Sequence, residues 1–229
     1  MNRINKNNLI GKSPNSKEFK EYKSFLTSLN PIQWEASIGL ILGDASLQTQ
    51  NQGKSYRLKF EWSAKNKAYI DHVYNLFDEW IISPPHTKTR TSPKGNIVEN
   101  LGFQTISYEA FNSLAELFLS TKTNTKIVSE NLISNHLTGR GLAYWFMDDG
   151  GRLDYNKGSK NKSIVMNTHS FTELEVISMA KELESKFNFF TEIRSNKSKK
   201  IIVIKSDSYE KFLSLISPYI IPEMEYKLP

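Results

Sequence analysis

Two apolar helices that each end at a carboxylate carry the residue types and spacing best suited to chemistry. The apolar part of the first runs from Ser37 to Asp44, and the second begins at Leu142 and ends at Asp149. A helix C-terminus bears partial negative charge, so an acid there is disfavoured unless a cation lies beside it. Oxygen ligands without a nearby His or Cys favour Mg²⁺ or Ca²⁺. The pattern predicts metal-assisted hydrolysis of a phosphodiester, and the alternative for each acid alone is a solvated helix end.

A duplication within the chain favours the chemical interpretation. The two acids lie 105 residues apart, and Lys126 and Lys227 lie 101 residues apart. The segment that begins at Tyr108 matches the segment that begins at Tyr209 at five of seven positions, also 101 residues away. A doubled unit predicts an internal pseudo-two-fold axis in one monomer, and the two carboxylates would then converge and repel unless a cation or a shared proton intervened.

Hydrophobic and turn patterns predict the order helix, hairpin, helix, hairpin, helix, and then predict it again. The first set comprises a helix from Pro31, strands Ser46–Gln50 and Ser55–Trp62, helix Lys67–Ile81, a hairpin within His86–Ser107 that turns at Ser92–Gly95, and helix Tyr108–Leu119. The second set comprises helix Leu142–Asp149, strands Arg152–Asn156 and Ser163–Ser170 around a loop from Lys157, helix Thr172–Phe187, strands Phe189–Arg194 and Lys200–Ser206, and helix Tyr209–Ile216. We expect an arm over residues 1–30, a first repeat over 31–135 and a second over 136–229.

Small residues on the first acidic helix predict a close helix neighbour. Gly39 and Gly43 are four residues apart and lie on one face. The aligned positions of the second helix are Tyr144 and Asp148, so we expect an asymmetric helix interface. On the later helix Thr172–Phe187, the buried side is expected to include the following residues: Leu174, Ile177, Met179, Ala180 and Leu183.

Charge and composition narrow the classes of partner. The chain has 30 Lys and Arg against 24 Asp and Glu, a net charge of +6 that favours a polyanion such as nucleic acid. The absence of Cys excludes a disulfide scaffold and a thiol nucleophile. We predict no membrane span and no secretory signal. The segment Met1–Lys17, with Arg3, Lys6 and Lys12, is interpreted as a flexible basic arm or as a disordered terminus without a role.

Polar residues that alternate along the predicted hairpins suit the major groove of DNA, where Gln and Asn pair with adenine and Arg and Lys with guanine. The alternative is a solvated sheet face. The candidate DNA-binding residues of the first repeat are Gln48, Gln50, Arg57, Lys59, His86, Lys88, Arg90, Asn96 and Gln104. Those of the second repeat are Arg152, Asp154, Tyr155, Asn156, Asn167, His169, Arg194, Asn196, Lys197 and Lys199.

The two acidic helices and several shorter stretches resemble the homing endonucleases of the LAGLIDADG family, in the single-chain form with two motifs. Asp44 and Asp149 fall at the eighth position of the motif, and the ninth is Ala45 in the first copy and Gly150 in the second. The stretches that carry the resemblance are Ile38–Ala45, Phe60–Trp62, Lys65–Tyr69, Ser83–His86, Leu142–Gly151, Asp154–Lys157, Asn161–Val165 and Tyr226–Pro229. The resemblance implies an α+β fold of two pseudo-symmetric αββαββα repeats with antiparallel, saddle-shaped DNA-binding sheets.

The resemblance also implies the activity and its residues. Asp44 and Asp149 would hold divalent cations between two scissile phosphates, with carbonyls of Gly43 and Asp148 as further ligands. The lysines 101 residues apart would be the basic residues of the two cleavage sites. The family implies Mg²⁺-dependent double-strand cleavage with short 3′ overhangs at a long site in double-stranded DNA, intron homing, no small-molecule cofactor and a mitochondrial location. Ca²⁺ is expected to occupy the same sites without supporting cleavage.

Three alternatives stay open on the sequence. In the first, the protein has the same fold but is a maturase that binds its own intron RNA and helps it to splice. A second is a DNA-binding regulator that does not cleave, although such a protein would tolerate the loss of Asp44 and Asp149. A third is another class of nuclease that uses the acid and lysine of Glu225–Lys227.

Overall fold

The chain forms two compact units, one from the residues up to Gln33 with Ala45–Asn112, the other from Trp34–Asp44 with Ser113–Pro229. The computed structural model describes residues 5–92, 95–156 and 158–229. Four predicted positions lie outside the described residues: Arg3 of the arm, Pro93 and Lys94 of a turn, and Lys157 of a loop. Within the described ranges, no helix is both long and apolar enough to cross a membrane. The repeat boundaries expected at residues 31, 136 and 229 remain a prediction.

Eight helices and eight strands form the described framework. The helices are α1 (Lys17–Ser24), α2 (Pro31–Leu42), α3 (Lys67–Leu76), α4 (Asn112–Phe118), α5 (Leu132–His136), α6 (Gly139–Asp149), α7 (Glu173–Phe187) and α8 (Tyr209–Ile216). The strands are β1 (Ser46–Gln48), β2 (Arg57–Ser63), β3 (His86–Thr91), β4 (Ile97–Gln104), β5 (Gly150–Arg152), β6 (Ile164–Asn167), β7 (Thr191–Asn196) and β8 (Lys199–Ile204).

Each unit contains one antiparallel sheet of four strands built from two hairpins. The strand orders are β1-β2-β4-β3 in the first unit and β5-β6-β8-β7 in the second. In β2 the apolar side chains of Leu58, Phe60 and Trp62 are buried and alternate with half-buried polar residues. This alternation puts one face of the sheet on the core and leaves the other polar. The expected combination of helices with two four-stranded antiparallel sheets is confirmed.

Helices α2 and α7 begin where capping side chains satisfy the first backbone amides. Asn30 accepts a hydrogen bond from the Gln33 amide at 2.9 Å, and the Gln33 side chain accepts one from the Asn30 amide at 3.1 Å. Thr172 and Glu175 form the same reciprocal pair at α7. Between Ala36 and Leu42 the only polar side chain of helix α2 is that of Ser37, and the aliphatic residues there are at most 1% exposed. A helix of this kind is stable only inside a core.

The interpretation of Met1–Lys17 as a flexible arm is wrong for its described residues. A 3-10 turn covers Lys6–Leu9, and Leu9 is only 1% exposed. Helix α1 begins at Lys17, with Ser16 accepting a hydrogen bond from the Phe19 amide. Polar and basic residues dominate the composition of this segment, but the burial of the apolar Leu9 stabilises a folded conformation of the chain around it.

Other predicted elements are shorter than expected or were missed. Helix α3 ends at Leu76, and a separate 3-10 turn continues to Trp80. The predicted strand Arg152–Asn156 ends at Arg152 as β5. Helix α5 was not predicted. Leu174, expected on the buried side of α7, is 79% exposed, because Val176 occupies that side instead.

Candidate active site

Helices α2 and α6 touch backbone to backbone within the second unit. A Cβ added to Gly39 would lie 1.9 Å from the carbonyl oxygen of Gly141. One added to Gly43 would lie 2.5 Å from Cβ of Asp148. The expected close neighbour is therefore α6. The residue that meets Gly39 is Gly141 rather than the aligned Tyr144, so both helices contribute a glycine to the contact.

The C-terminal ends of α2 and α6 meet at a group of carboxylates. The backbone amide of Asp44 donates a hydrogen bond to Oδ2 of Asp148 at 3.1 Å. Asp149 follows as the last residue of α6 and is half-buried. Two helix C-termini and three acids thus concentrate negative charge at one point, which is the situation that a cation stabilises.

Lys126 and Lys227 supply positive charge at the same helix ends. Nζ of Lys126 donates to the carbonyl of Gly43 at 2.9 Å, and Nζ of Lys227 donates to the carbonyl of Asp148 at 2.8 Å. Lys227 also donates to the Met147 carbonyl at 2.5 Å. The two lysines therefore take corresponding positions, one at the end of each acidic helix, where their charges oppose the helix dipoles.

The surrounding chain fixes each lysine in place. Lys126 forms an isolated antiparallel bridge with Leu119, and its Nζ lies 5.2 Å from the centre of the buried Phe171 ring. Lys227 closes a 3-10 turn that begins at Pro222. Burial lowers the pKa of both lysines, and the nearby carboxylates oppose that change. The carboxylates favour the charged forms of both lysines.

Burial and the neighbouring charge of Asp44 raise the pKa of Asp149 from 3.8 to about 7. Lys126 and Lys227 act in the opposite direction and lower that pKa, but by less. A carboxylate that is partly protonated near neutral pH is a group whose charged form lacks a sufficient counter-ion. A divalent cation at the helix ends would supply that counter-charge and restore the ionised form.

In the metal-free protein, the free energy of unfolding is expected to fall as pH rises from about 4 to about 7. Over this range the folded state keeps the proton of Asp149 whereas the unfolded state, with its ordinary pKa, has lost it. The folded state binds more protons, so stability decreases with pH. Asp149→Asn should remove this component, and denaturant titrations in EDTA across the range would measure the difference. Asp71→Asn on α3 is the control, and parallel curves for wild type and Asp149→Asn would contradict the assignment.

The donor set at the helix ends fits a hard cation. Across residues 5–92, 95–156 and 158–229, no three His, Asp or Glu side chains converge in a ready-made metal site. The oxygens at hand include the carboxylates of Asp44 and Asp149 and the carbonyls of Gly43 and Asp148. All are hard ligands of the kind that Mg²⁺ and Ca²⁺ prefer, and Mg²⁺ commonly takes one or two carboxylates and completes its shell with water and phosphate.

The first sheet gathers most of its predicted DNA-binding residues on one face. The register opposes Gln48 to Arg57 and Lys59 to Gln104, and opposed residues share a face. The same register puts His86, Lys88 and Arg90 on that face. Gln50 and Asn96 lie outside the strands, beyond β1 and before β4.

Two residues of this face were missed in the sequence. Oε2 of Glu61 pairs with Nζ of Lys88 at 2.6 Å, and its Oε1 accepts from Nδ2 of Asn100 at 3.2 Å. Both lie on the polar face, because Glu61 is two residues from Lys59 and Asn100 opposes Lys88. The alternation of polar and apolar residues along β2 and β4 was the sequence signal that could have identified both.

The second sheet divides its predicted residues between two faces. Asn167, Arg194, Asn196 and Lys199 share one face through the pairings of β6, β7 and β8. Arg152 opposes the buried Ile164, so it lies on the other face, where it donates to the Tyr226 carbonyl at 3.2 Å.

The remaining predicted residues of the second repeat lie in connections. Tyr155 accepts a hydrogen bond from the Arg152 amide at 3.1 Å, and Asp154 accepts one from the Asn156 amide at 2.9 Å. His169 is exposed beyond β6, and Lys197 occupies the turn between β7 and β8.

Comparison with known proteins agrees with this architecture. The LAGLIDADG DNA endonuclease family matches residues 34–212. Probable intron-encoded endonuclease 1 of Wickerhamomyces canadensis is 47% identical over 98% of this chain and 96% of its own length. Cytochrome b mRNA maturase bI2 of Saccharomyces cerevisiae is 30% identical over 100% of this chain and 54% of its own length.

A solved structure extends the agreement from sequence to fold. The homing endonuclease I-WcaI, bound to its DNA recognition sequence, is 46% identical and superposes with a TM-score of 0.93 over 99% of this chain and 98% of its own. The predicted family is thus confirmed by sequence and by fold. This chain belongs to the LAGLIDADG DNA endonuclease family.

Proposed function

We propose that this chain is a site-specific DNA endonuclease that makes a double-strand break with short 3′ overhangs at a long target and promotes intron homing. The observation that carries the proposal is the pair of glycine-packed helices whose ends bring Asp44 and Asp149 together with Lys126 and Lys227. The family supports a nuclease. The names of an intron-encoded endonuclease and a DNA-bound homing endonuclease among its relatives support the substrate and the biological role.

The proposed cofactor is Mg²⁺, held by the carboxylates of Asp44 and Asp149 and the carbonyls of Gly43 and Asp148. When bound, a divalent cation polarises the phosphate and lowers the pKa of a coordinated water. Asp44 and Asp149 orient the reacting groups, and the buried backbone contact of their helices keeps the two carboxylates at one spacing. Ca²⁺ has the same preference for oxygen ligands, so we expect it to bind there without supporting cleavage.

Lys126 and Lys227 are proposed to stabilise charge on the scissile phosphates. An ammonium has three N–H donors. Lys126 gives one hydrogen bond to Gly43, and Lys227 gives two to the last turn of α6. Each therefore retains at least one hydrogen for a phosphate oxygen, which is where negative charge grows as the bond breaks.

The polar faces of the two sheets are proposed to read the target. In the first sheet the residues are Gln48, Arg57, Lys59, His86, Lys88, Arg90 and Gln104, with Glu61 and Asn100 added. In the second they are Arg194, Asn196 and Lys199, and Asp154, Tyr155, Asn156, His169 and Lys197 in the adjoining connections. Gln50 and Asn96 remain candidates beside the first sheet.

Affinity for duplex DNA is expected to fall steeply as salt rises, because contacts to phosphates release counter-ions. Six to ten such contacts would lower affinity by about 10³- to 10⁵-fold between roughly 50 and 200 mM salt. Lys199→Gln should reduce the logarithmic slope by about one. Lys181→Gln, an exposed lysine on α7, is the control that should leave the slope unchanged. Binding titrations in EDTA measure both, and a flat response of the wild-type protein would count against DNA as the partner.

The test of the proposed function is cleavage of a duplex that carries the uninterrupted insertion site of this reading frame's own intron. Mg²⁺-dependent cutting of both strands, absent in EDTA and in Ca²⁺, is expected. The maturase relative, similar over the whole of this chain, favours a second candidate function in RNA splicing. Tight binding of intron RNA with no cutting of any duplex would support that candidate. The cytochrome b maturases also support a proposed mitochondrial location.

A further inference from the structure

Asn167, the last residue of β6, makes a contact that base reading does not explain. Its Nδ2 donates a hydrogen bond to the carbonyl oxygen of Asp149 at 2.9 Å. Asn167 is half-buried on the polar face of the second sheet, beside the C-terminus of α6. The side chain therefore faces the end of an acidic helix.

The accepted carbonyl is one that the helix itself leaves unsatisfied. Asp149 is the last residue of α6, and the last four carbonyls of a helix have no partner within it. The chain turns abruptly there: the Gly150 amide donates to the Phe146 carbonyl, and a Cβ on Gly150 would lie 2.1 Å from Cδ2 of Phe146. With Gly150 held on one side and Asn167 on the other, the peptide plane after Asp149 is fixed, and with it the direction of the Cα–Cβ bond from which the carboxylate extends.

Lysine side chains donate to carbonyls at both acidic helix ends, but the end of α6 also has a neutral side-chain donor. At α2 the ammonium of Lys126 holds the Gly43 carbonyl, one residue before the acid. At α6 Lys227 holds the carbonyls of Met147 and Asp148, and the neutral amide of Asn167 holds that of the acid itself. Asn167 is thus placed to orient Asp149 without contributing charge to the site.

We propose that Asn167 is a positioning residue for the carboxylate of Asp149. The inference rests on the proposed endonuclease function, because that function requires the Asp149 carboxylate in cleavage. It reassigns Asn167 from reading a base to holding the end of α6. Removing a residue that holds a metal-binding residue in place typically changes activity by about 10- to 100-fold.

Asn167→Leu tests the proposal, because leucine has a similar volume and no donor. Single-turnover cleavage at saturating protein is expected to slow by about 10- to 100-fold. In EDTA, affinity for the target and the order of preference across duplexes with single base changes should match those of wild type. Asn167→Gln, which keeps the amide donor, should recover part of the rate. Asn135→Leu, an exposed amide on α5, should leave every readout unchanged.

Two results would overturn the proposal. A changed base preference, with full cleavage rate on the newly preferred duplex, would make Asn167 a base reader. An unchanged rate on the original target would show that the hydrogen bond positions nothing. Thermal unfolding checks that each variant folds, and Asn167→Ala, uncharged and without a donor, takes the place of Asn167→Leu if the leucine variant does not fold. Failure of the proposed function has a different signature, since the wild-type protein would then cut no duplex at all.

Discussion

Asp44→Asn and Asp149→Asn are each expected to slow cleavage of both DNA strands by about 1,000-fold or more. Asparagine keeps the shape of aspartate but loses the charge that holds a divalent cation. The stabilisation that a metal gives to a transition state is worth several kcal/mol, and each 1.36 kcal/mol is a factor of about ten in rate. Both acids lie at the junction of α2 and α6, so each should serve both strands.

Binding of the target in EDTA should survive both substitutions. Each removes a negative charge that would face phosphates, so affinity should stay equal or increase. Strand-labelled duplexes in a single-turnover assay would measure each cut separately. Asp71→Asn, at the exposed ion pair of α3 with Lys67, is the matched control. Full cutting by either active-site variant would remove that acid from the mechanism, and loss of one strand alone would show that each acid serves one strand.

The junction of α2 and α6 was the most predictable part from sequence. An acid at the end of an apolar helix is a local conflict, and its repetition 105 residues later favours a functional reason for that conflict. The paired lysines were found in the same way, by an equal spacing. That both lysines would donate to carbonyls at the ends of these helices could not be predicted, because the contacts join residues 79 to 83 apart in the chain.

The face of the sheet on which a strand residue lies was harder to predict from the sequence than the presence of the strand. Arg152 has the chemistry of a base-reading residue, yet it lies opposite Ile164 and donates to the carbonyl of Tyr226. Strand β5 has three residues and starts directly after α6, so the helix end decides which face each side chain takes. A shift of one residue in register exchanges the two faces, and no polar pattern of three residues specifies it.

The sequence predicted only one of the two glycines at which α2 and α6 meet. Gly39 indicated a close neighbour, but alignment of the two motifs offered Tyr144 as its counterpart. The true partner is Gly141, one turn earlier on α6. Residues that are equivalent by repeat need not touch, because contact across two packed helices follows their crossing point rather than their alignment.

Gly39→Ala is expected to destabilise the protein by about 3 kcal/mol, the upper end of the usual cost of overpacking. The added methyl would lie 1.9 Å from the Gly141 carbonyl oxygen and 2.9 Å from the Trp145 amide nitrogen. Both are backbone atoms that no rotamer change can move, so the two helices must separate. On an exposed helix the same change would add about 1 kcal/mol of stability, so the sign itself tests the contact.

The separation of α2 and α6 should also lower cleavage, since displacing reacting groups by about 1 Å can cost about 100-fold in rate. Gly141→Ala should have a smaller effect, because its Cβ would lie 3.0 Å from the Glu35 carbonyl. Gly11→Ala is the control: it has a positive φ and open space, so it should cost about 1 to 2 kcal/mol without altering the cleavage rate. Denaturant titration and single-turnover cleavage would rank the three variants. A Gly39→Ala protein as stable and active as wild type would mean that α2 and α6 do not pack through this glycine, and that another contact fixes the spacing of Asp44 and Asp149.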